Sequence, residues 1–254
     1  MKTLKERETC PDCGAADHTY RAGHNDSGSQ RWYCPGCDSQ FTPVPNDMGH
    51  PPEVRRLALN MVGEGISYRA TARTLGITHQ TVANWHHADQ QQLPEQINDQ
   101  TPTAVIEVDE LFTYAAKKKE PCYVVAGVSR DTRLIGGCEV VEHRDKTTMQ
   151  MFAASLPAAE IYYSDGLLVY QGLVWPGSGR HEVSDGKRNT YTIEGMNAQF
   201  RQYVSFLRRK TRGFSKCIER LREAVTWFVY HWNRRQRMYL ANRKLRGKLG
   251  LRAC

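Results

Sequence analysis

Three acidic residues, Asp109, Asp165 and Glu194, stand where carboxylates could perform chemistry. Asp109 interrupts the apolar run AVIEVDELFTY, and a charge inside such a strand is costly unless it binds a cation or a base. Asp165 ends the strand-like segment AEIYYSD just before a glycine, and ligands of α/β sheets collect at strand ends. Glu194 lies in a basic stretch, and Asn197 and Arg201 follow it at helical spacings of three and four, so these side chains share one face.

Three carboxylates that converge from such separate elements could hold two divalent cations about 4 Å apart, one activating an attacking oxygen and the other stabilising a leaving oxygen. Hard oxygen ligands select Mg²⁺ or Mn²⁺ over zinc. The pattern therefore predicts two-metal cleavage of phosphodiesters. Taken alone, each acid has a simpler explanation, and Asp165 also fits a turn residue or a helix cap.

A second group of ligands lies near the N-terminus, where CPDC and CPGC each supply a pair of thiols. Zinc binds four such thiolates in a tetrahedron, and the loop between the pairs can fold as a small ribbon around the ion. The predicted ligands are Cys10, Cys13, Cys34 and Cys37. Redox-active disulfides or free thiols are the alternative. A module this small has little core, so we expect its folding to depend on the structural zinc.

The next segment carries the pattern of a helix-turn-helix. One amphipathic run, EVRRLALNMVGEG, precedes SYRATARTLGITHQTVANWHH, whose two helical patterns meet around Gly76. Thr78 is expected to cap the second helix, which would enter a major groove. We predict base contacts from His79, Gln80, Thr81 and Asn84, and phosphate contacts from Arg69 and Arg73. A three-helix core without a role in DNA binding is the alternative.

The composition of the chain limits the kinds of molecule that we expect it to bind. A formal charge of +8 and a pI near 9.1 favour polyanions, with nucleic acid the leading candidate. The apolar runs are too short to span a bilayer, so we expect no membrane contact and a soluble, cytoplasmic, nucleoid-associated protein. A polar segment at 93–103 reads as a linker, and three strands, a helix, a strand and further helices are predicted after it.

The order of these features resembles the DDE transposases of the bacterial insertion sequence one family. The resemblance is carried by the DEL of Asp109–Leu111, by the YSDG of Tyr163–Gly166 and by a longer run of spaced residues. That run comprises His181, Lys187, Thr192, Ile193, Glu194, Asn197 and Arg201, followed by Arg209, Lys210, Phe214, Ser215 and Lys216. The resemblance covers nearly the whole chain and implies DNA strand cleavage and strand transfer.

It implies a multidomain chain in which a small zinc ribbon and an all-α helix-turn-helix precede an α/β catalytic domain with a ribonuclease H-like fold. The expected boundaries are 1–46 for the ribbon, 47–92 for the helix-turn-helix, 93–103 for the linker, 104–233 for the catalytic domain and 234–254 for a basic tail. Asp109, Asp165 and Glu194 would form the catalytic triad on double-stranded DNA, in a homodimer or higher oligomer.

Four further residues are expected to support that triad. Lys187 and Arg201 would neutralise the scissile phosphate, Asn197 would bind a phosphate or steady Glu194, and His181 would position a nucleophile or a DNA end. Purely structural roles remain open for all four. A non-catalytic zinc and helix-turn-helix regulator is the alternative function, and a nuclease without strand transfer is a third possibility.

Overall fold

The chain divides into two compact units, residues 1–55 and 56–254, in a computed structural model. The structure describes residues 7–25, 28–44, 50–115, 121–186, 188–208 and 215–248, with the side chains of 246–248 left aside. Lys187, which we expected to support the site, and the basic residues Arg209 and Lys210 lie outside the described ranges.

The first unit contains a small antiparallel sheet in the order β1-β2-β3. Its strands are Tyr20–His24, Gln30–Cys34 and Ser39–Phe41. Trp32 is buried in the sheet, and Cys34 is buried at the end of its central strand. The first Cys-x-x-Cys pair precedes β1 and the second spans the end of β2 and the turn to β3, an arrangement compatible with the predicted zinc ribbon.

Three helices come next along the chain: α1, Pro52–Gly63; α2, Tyr68–Leu75; and α3, His79–Gln90. The Ser67 hydroxyl accepts the Ala70 N–H and caps α2, and Thr78 caps α3 by accepting the Thr81 N–H. Gly76 ends α2 with a φ of 67°, a left-handed conformation that glycine adopts without steric cost. The predicted helix-turn-helix is confirmed, with Val62, Ala72 and Val82 in its core.

Residues 93–103 differ from the loose linker that we predicted. Asp99 is buried, and its carboxylate accepts hydrogen bonds from the Arg237 guanidinium at 2.8 and 3.1 Å. Its backbone N–H donates to the Ile135 carbonyl at 2.9 Å. Asn233 also donates to the Ile97 carbonyl at 3.1 Å. These contacts tie the segment to a strand and a helix of the region that follows.

A five-stranded mixed sheet dominates that region, in the order β6-β5-β4-β7-β8. Its strands are β4, Thr103–Tyr114; β5, Pro121–Ser129; β6, Ile135–Val141; β7, Ala159–Ser164; and β8, Arg180–Val183. The first three form the predicted antiparallel meander, and β7 and β8 add in parallel. β8 is a correction, because we predicted helices and no further strand after β7.

Helices cover both faces of the sheet. One face packs α5, Tyr191–Tyr203, and α6, Ile218–Lys248, over residues such as Leu111 and Val124. The other packs α4, Lys146–Ala154, and a short 3-10 helix, Leu168–Gly172, over Ile106 and Val108. Alternate residues of β4 therefore face different helices.

The last helix runs further than we predicted. We placed a basic tail from residue 234 onward, whereas α6 continues to Lys248. Its first half also holds the helix-turn-helix, since the Trp227 indole donates to Asp89 at 2.7 Å and packs edge-on against the buried ring of His86. Within the described residues, every helix is too short or too polar to cross a membrane.

Candidate functional site

The parallel pairing of β4 with β7 brings the first two predicted acids to one end of the sheet. Glu107 pairs with Tyr163, so Asp109 and Asp165, each two residues further on, lie at the same level. Carboxylate oxygens of Asp109, Glu110 and Asp165 all lie within 4.8 Å of one another. These three residues, called the carboxylate cluster below, contain two of the three acids that we predicted. The third member, Glu110, approaches from the opposite face of β4.

Glu194 lies beside the carboxylate cluster without belonging to it. It sits in the first turn of α5, and its charge contributes to raising the pKa of Asp109. One turn later, the Asn197 amide donates to Asp109 Oδ2 at 2.8 Å. The half-buried Arg201 acts in the other direction and lowers the pKa of Asp109. The helical face that we predicted is therefore turned toward Asp109.

The electrostatics of the carboxylate cluster suit a cation. Burial, followed by the charges of Asp165 and Glu194, raises the pKa of Asp109 to about 6. Burial and the charges of Asp165 and Asp109 raise that of Glu110 to about 7. The buried Glu110 Oε1 has no hydrogen bond of good geometry, although the buried Tyr170 hydroxyl lies beside this carboxylate. A group of hard oxygens with an orphaned buried member fits a divalent cation such as Mg²⁺.

Glu107 lies two residues before Asp109 on the same face of β4, and it has a different role. It is completely buried, and its Oε2 accepts the N–H groups of Thr192 and Ile193 at 2.7 and 3.0 Å. Its Oε1 accepts Arg130 Nε at 2.7 Å, and Arg130 Nη2 donates to the Asn189 carbonyl at 3.0 Å. A carboxylate at the start of a helix satisfies unpaired N–H groups and the helix dipole. Glu107 thereby fastens the first turn of α5, which carries Glu194, to β4.

His181 supports the strand end that carries Asp165. Its Nε2 lies 2.8 Å from the Ser164 hydroxyl, which donates to the Asp165 carbonyl at 2.9 Å. Because the hydroxyl has one hydrogen, the imidazole Nε2–H is the donor in the first bond. The ring stacks on Trp175 with centroids 5.1 Å apart, and burial lowers its pKa. These contacts reach the backbone of Asp165 rather than the cluster oxygens.

The residues that we predicted to contact DNA lie on two helices, Arg69 and Arg73 on α2 and the other four on α3. Five are exposed: Arg69, Arg73, His79, Gln80 and Asn84. Gln80 donates to Asn84 at 2.8 Å along the helix surface. Thr81 is half-buried, and its hydroxyl lies 2.9 Å from that of the cap residue Thr78, so it is the least accessible of the six.

The four predicted zinc ligands come together in the first unit. The Sγ atoms of Cys10, Cys13, Cys34 and Cys37 all lie within 4.8 Å of one another. The Cys10–Cys37 and Cys13–Cys34 separations are both 3.6 Å. A tetrahedron of thiolates about 2.3 Å from zinc has sulfur–sulfur edges of about 3.8 Å. All four cysteines are free of disulfides, so the geometry is compatible with a metal site.

Comparison with known proteins supports the DNA-binding part of this description. A family model described as a homeodomain-like domain of the helix-turn-helix kind matches residues 51–92. This match indicates that the helix-turn-helix binds DNA. Among solved structures, the chain resembles part of a simian T-cell lymphotropic virus intasome in complex with the PP2A regulatory subunit B56 gamma, with a TM-score of 0.34 and 13% identity. That match covers 58% of this chain and 59% of the other.

The sequence left two features of the site open, namely whether Glu107 or Glu110 also contacts a metal. Glu110 joins the carboxylate cluster although strand alternation places it on the face opposite Asp109. The partnership of Glu107 with Arg130 and α5 joins residues far apart in sequence. The position of Glu110 beside Asp109 in an apolar strand is a local signal, whereas the partners of Glu107 leave none.

Proposed function

We propose that this chain is a DNA transposase that cleaves DNA at the ends of a mobile element and joins the 3′ hydroxyls to target DNA. The observation that carries the proposal is the carboxylate cluster, which lies beside Glu194 in a chain that also has a homeodomain-like DNA-binding region. A ribonuclease H-like catalytic domain is part of the proposal. Three antiparallel strands followed by two parallel ones support it.

Asp109, Asp165 and Glu194 are the proposed metal ligands and catalytic residues, for Mg²⁺ or Mn²⁺. When bound, a pair of these ions would activate the attacking oxygen and stabilise the leaving oxygen. Asn197 orients Asp109 through its amide hydrogen bond, and His181 steadies the backbone of Asp165 through Ser164. Arg201 lies close enough to influence Asp109 and would neutralise the scissile phosphate. Lys187 has the same proposed role.

The DNA contacts follow from the exposed surface of the helix-turn-helix. We assign base contacts to His79, Gln80, Thr81 and Asn84, and phosphate contacts to Arg69 and Arg73. The four-cysteine cluster would hold a structural zinc ion that keeps the ribbon folded. Joining two element ends requires a homodimer or a larger assembly. Such a protein would work on the nucleoid in the cytoplasm.

Cleavage by an Asp165→Asn variant tests the proposal. The substrate is a duplex selected for tight binding to the full chain, incubated with Mg²⁺. The amide keeps the size of the carboxylate but loses its charge, so we expect cleavage to be abolished while binding of the duplex is retained. Asp131→Asn, at an exposed position between β5 and β6, is the matched control and should cleave normally.

Full cleavage by Asp165→Asn would overturn the assignment of that residue. Binding without cleavage by the wild type would instead favour the non-catalytic regulator. Hydrolysis by the wild type without joining of the products would favour a nuclease.

A further inference from the structure

An exposed group of aromatic side chains lies next to the carboxylate cluster. Phe112 is 49% exposed, and its ring contacts Tyr114 and Tyr123 with centroids 4.9 and 5.6 Å away. The exposed Arg144 guanidinium lies 4.1 Å from the centroid of Tyr123. We call these four residues the aromatic patch. Two of its rings are held edge-on against Phe112, so their orientation is fixed by packing rather than by solvent.

Phe112 and Tyr114 of the aromatic patch share one strand and one face with Glu110, the member of the carboxylate cluster that lies opposite Asp109. Glu110, Phe112 and Tyr114 are alternate residues of β4 and therefore point the same way. Tyr123 lies directly opposite Phe112 on β5. Phe112 follows Glu110 by two residues, a distance of about 7 Å along a strand. Arg144 is close enough to Glu110 to lower its pKa, which places the patch beside the cluster in space as well as in sequence.

The edge of β4 beside the patch is not covered by its parallel neighbour. Pairing with β7 ends at Glu107, whereas pairing with β5 continues to Tyr114. Among the described residues, the next pairing on the β7 side is an isolated bridge from Ala115 to Ser215. A strand of nucleic acid that enters the carboxylate cluster from this side would pass over Phe112.

We propose that the aromatic patch stacks an unpaired base of the DNA strand whose phosphate lies at the carboxylate cluster. This inference rests on the proposed function, and it adds that the site binds DNA with an unpaired base. A base inside a duplex has both faces covered, so only an unstacked base can lie on Phe112. Aromatic side chains hold any base, because every base has a π face, and a neighbouring arginine adds its charge.

Charge complementarity favours nucleic acid over a protein partner as the occupant. The ring surface is bordered by Arg144, on a chain of formal charge +8 whose helix-turn-helix matches a DNA-binding family. A nucleotide offers an aromatic face and a phosphate within one residue, which are the two groups that Phe112 and Arg144 recognise. An apolar protein surface would leave the guanidinium without a counter-charge.

Fluorescence of 2-aminopurine tests the proposal with the full chain. The probe is the selected duplex carrying two unpaired nucleotides at one end, the first of them 2-aminopurine, made with the overhang on either strand. The blunt duplex is the comparison. Binding is measured without added Mg²⁺ or Mn²⁺ and without a chelator, so the result does not depend on cleavage and the proposed zinc site is left intact. With wild type we expect quenching and tighter binding of at least one overhang than of the blunt duplex.

Substitutions of Phe112 distinguish the contribution of its aromatic ring from that of its apolar volume. Phe112→Ala and Phe112→Leu should weaken overhang binding by about 5- to 150-fold and abolish quenching, with blunt-duplex affinity unchanged. Phe112→Tyr should retain both. Met151→Ala is the matched control, because Met151 is also apolar and exposed but lies on α4. This variant should behave as wild type. Circular dichroism checks that each variant is folded.

Equal losses on overhang and blunt DNA would overturn the proposal, as would unchanged overhang binding by the two variants that lack the ring. Loss of self-association in Phe112→Leu with overhang binding intact would identify a second protein chain as the occupant. Failure of the proposed function is read separately, as the absence of Mg²⁺-dependent cleavage by the wild type.

Discussion

Glu107 and Asp109 lie on the same face of β4, two residues apart, yet their surroundings differ. Glu107 is surrounded by donors, namely the start of α5 and Arg130. Asp109 accepts hydrogen bonds from the Asn197 side-chain amide and the Glu110 backbone N–H, and it lies among other acids. A carboxylate with a full set of donors is stable as an anion, whereas crowded carboxylates need a cation. The contrast separates a residue that positions the site from one that acts in it.

Replacement of Glu107 should therefore cost stability before it affects chemistry. Glu107→Gln leaves Arg130 without its charged partner, and breaking a buried pair costs about 3–5 kcal/mol. Urea unfolding measures this. The matched control is Glu182→Gln, which breaks an exposed pair with Arg180 at 2.8 Å and should cost less than about 1 kcal/mol. Equal losses in the two variants would contradict the role given to Glu107.

At the scale of elements, the packing of the helix-turn-helix on α6 depends on a neutral histidine. His86 is 4% exposed, and its Nδ1 lies 2.7 Å from the Tyr68 hydroxyl. Burial lowers its pKa to about 4. The nearby charges oppose one another, since Asp89 raises this pKa while His231, His87 and Arg220 lower it. The contact is therefore built around the uncharged ring.

Acidification should weaken this contact. The folded-state pKa of His86 lies below the ordinary value of 6.5, so the stability it contributes is complete above pH 6.5 and is lost as the pH falls toward 4. Between pH 7 and 4.5 we expect wild type to lose about 2–3 kcal/mol more stability than His86→Phe. Urea unfolding at both pH values measures the difference. The exposed His143→Gln control should follow wild type, whereas His86→Phe losing as much stability as wild type would refute this account.

The ribbon gives a second prediction at this scale. Cys34 ends β2 and is buried within the four-cysteine cluster, so Cys34→Ser should remove a zinc ligand and weaken binding to the selected duplex. The carboxylate cluster belongs to the other compact unit, so cleavage of DNA already bound should persist. Metal analysis should find one zinc ion per wild-type chain. The half-buried Cys217→Ser serves as control, and a folded wild type without zinc would contradict the assignment.

For the whole molecule, local signals allowed the best predictions. The helix-turn-helix follows from Gly76 and Thr78, whose conformations are decided by their immediate neighbours. The two Cys-x-x-Cys pairs are also recognisable from their local spacing alone. Strand β8 was missed because Arg180–Val183 is short and half charged, and pairing with β7 holds it in place. The continuation of α6 was missed because a basic composition describes charge and not helix length.

The site was predictable only in part for the same reason. Asp109 and Asp165 were identifiable because a charge inside an apolar strand and an acid at a strand end are both recognisable locally. The place of Glu110 depends on where β7 stops alongside β4, and that of Glu194 depends on the Glu107 contact that fixes α5. Both positions are decided by contacts between residues that are far apart in the sequence. Glu194 is accordingly the residue on which the central claim depends most.

Strand transfer by a Glu194→Gln variant tests that claim most directly. The full chain is supplied with selected duplexes already cut to expose a 3′ hydroxyl, a supercoiled plasmid as target, and Mg²⁺. We predict that wild type joins these ends to the plasmid, and that Glu194→Gln binds the duplexes equally well but joins them at least about 100-fold more slowly, because a metal ligand is lost. Undiminished joining by Glu194→Gln, or no joining by wild type, would contradict the account.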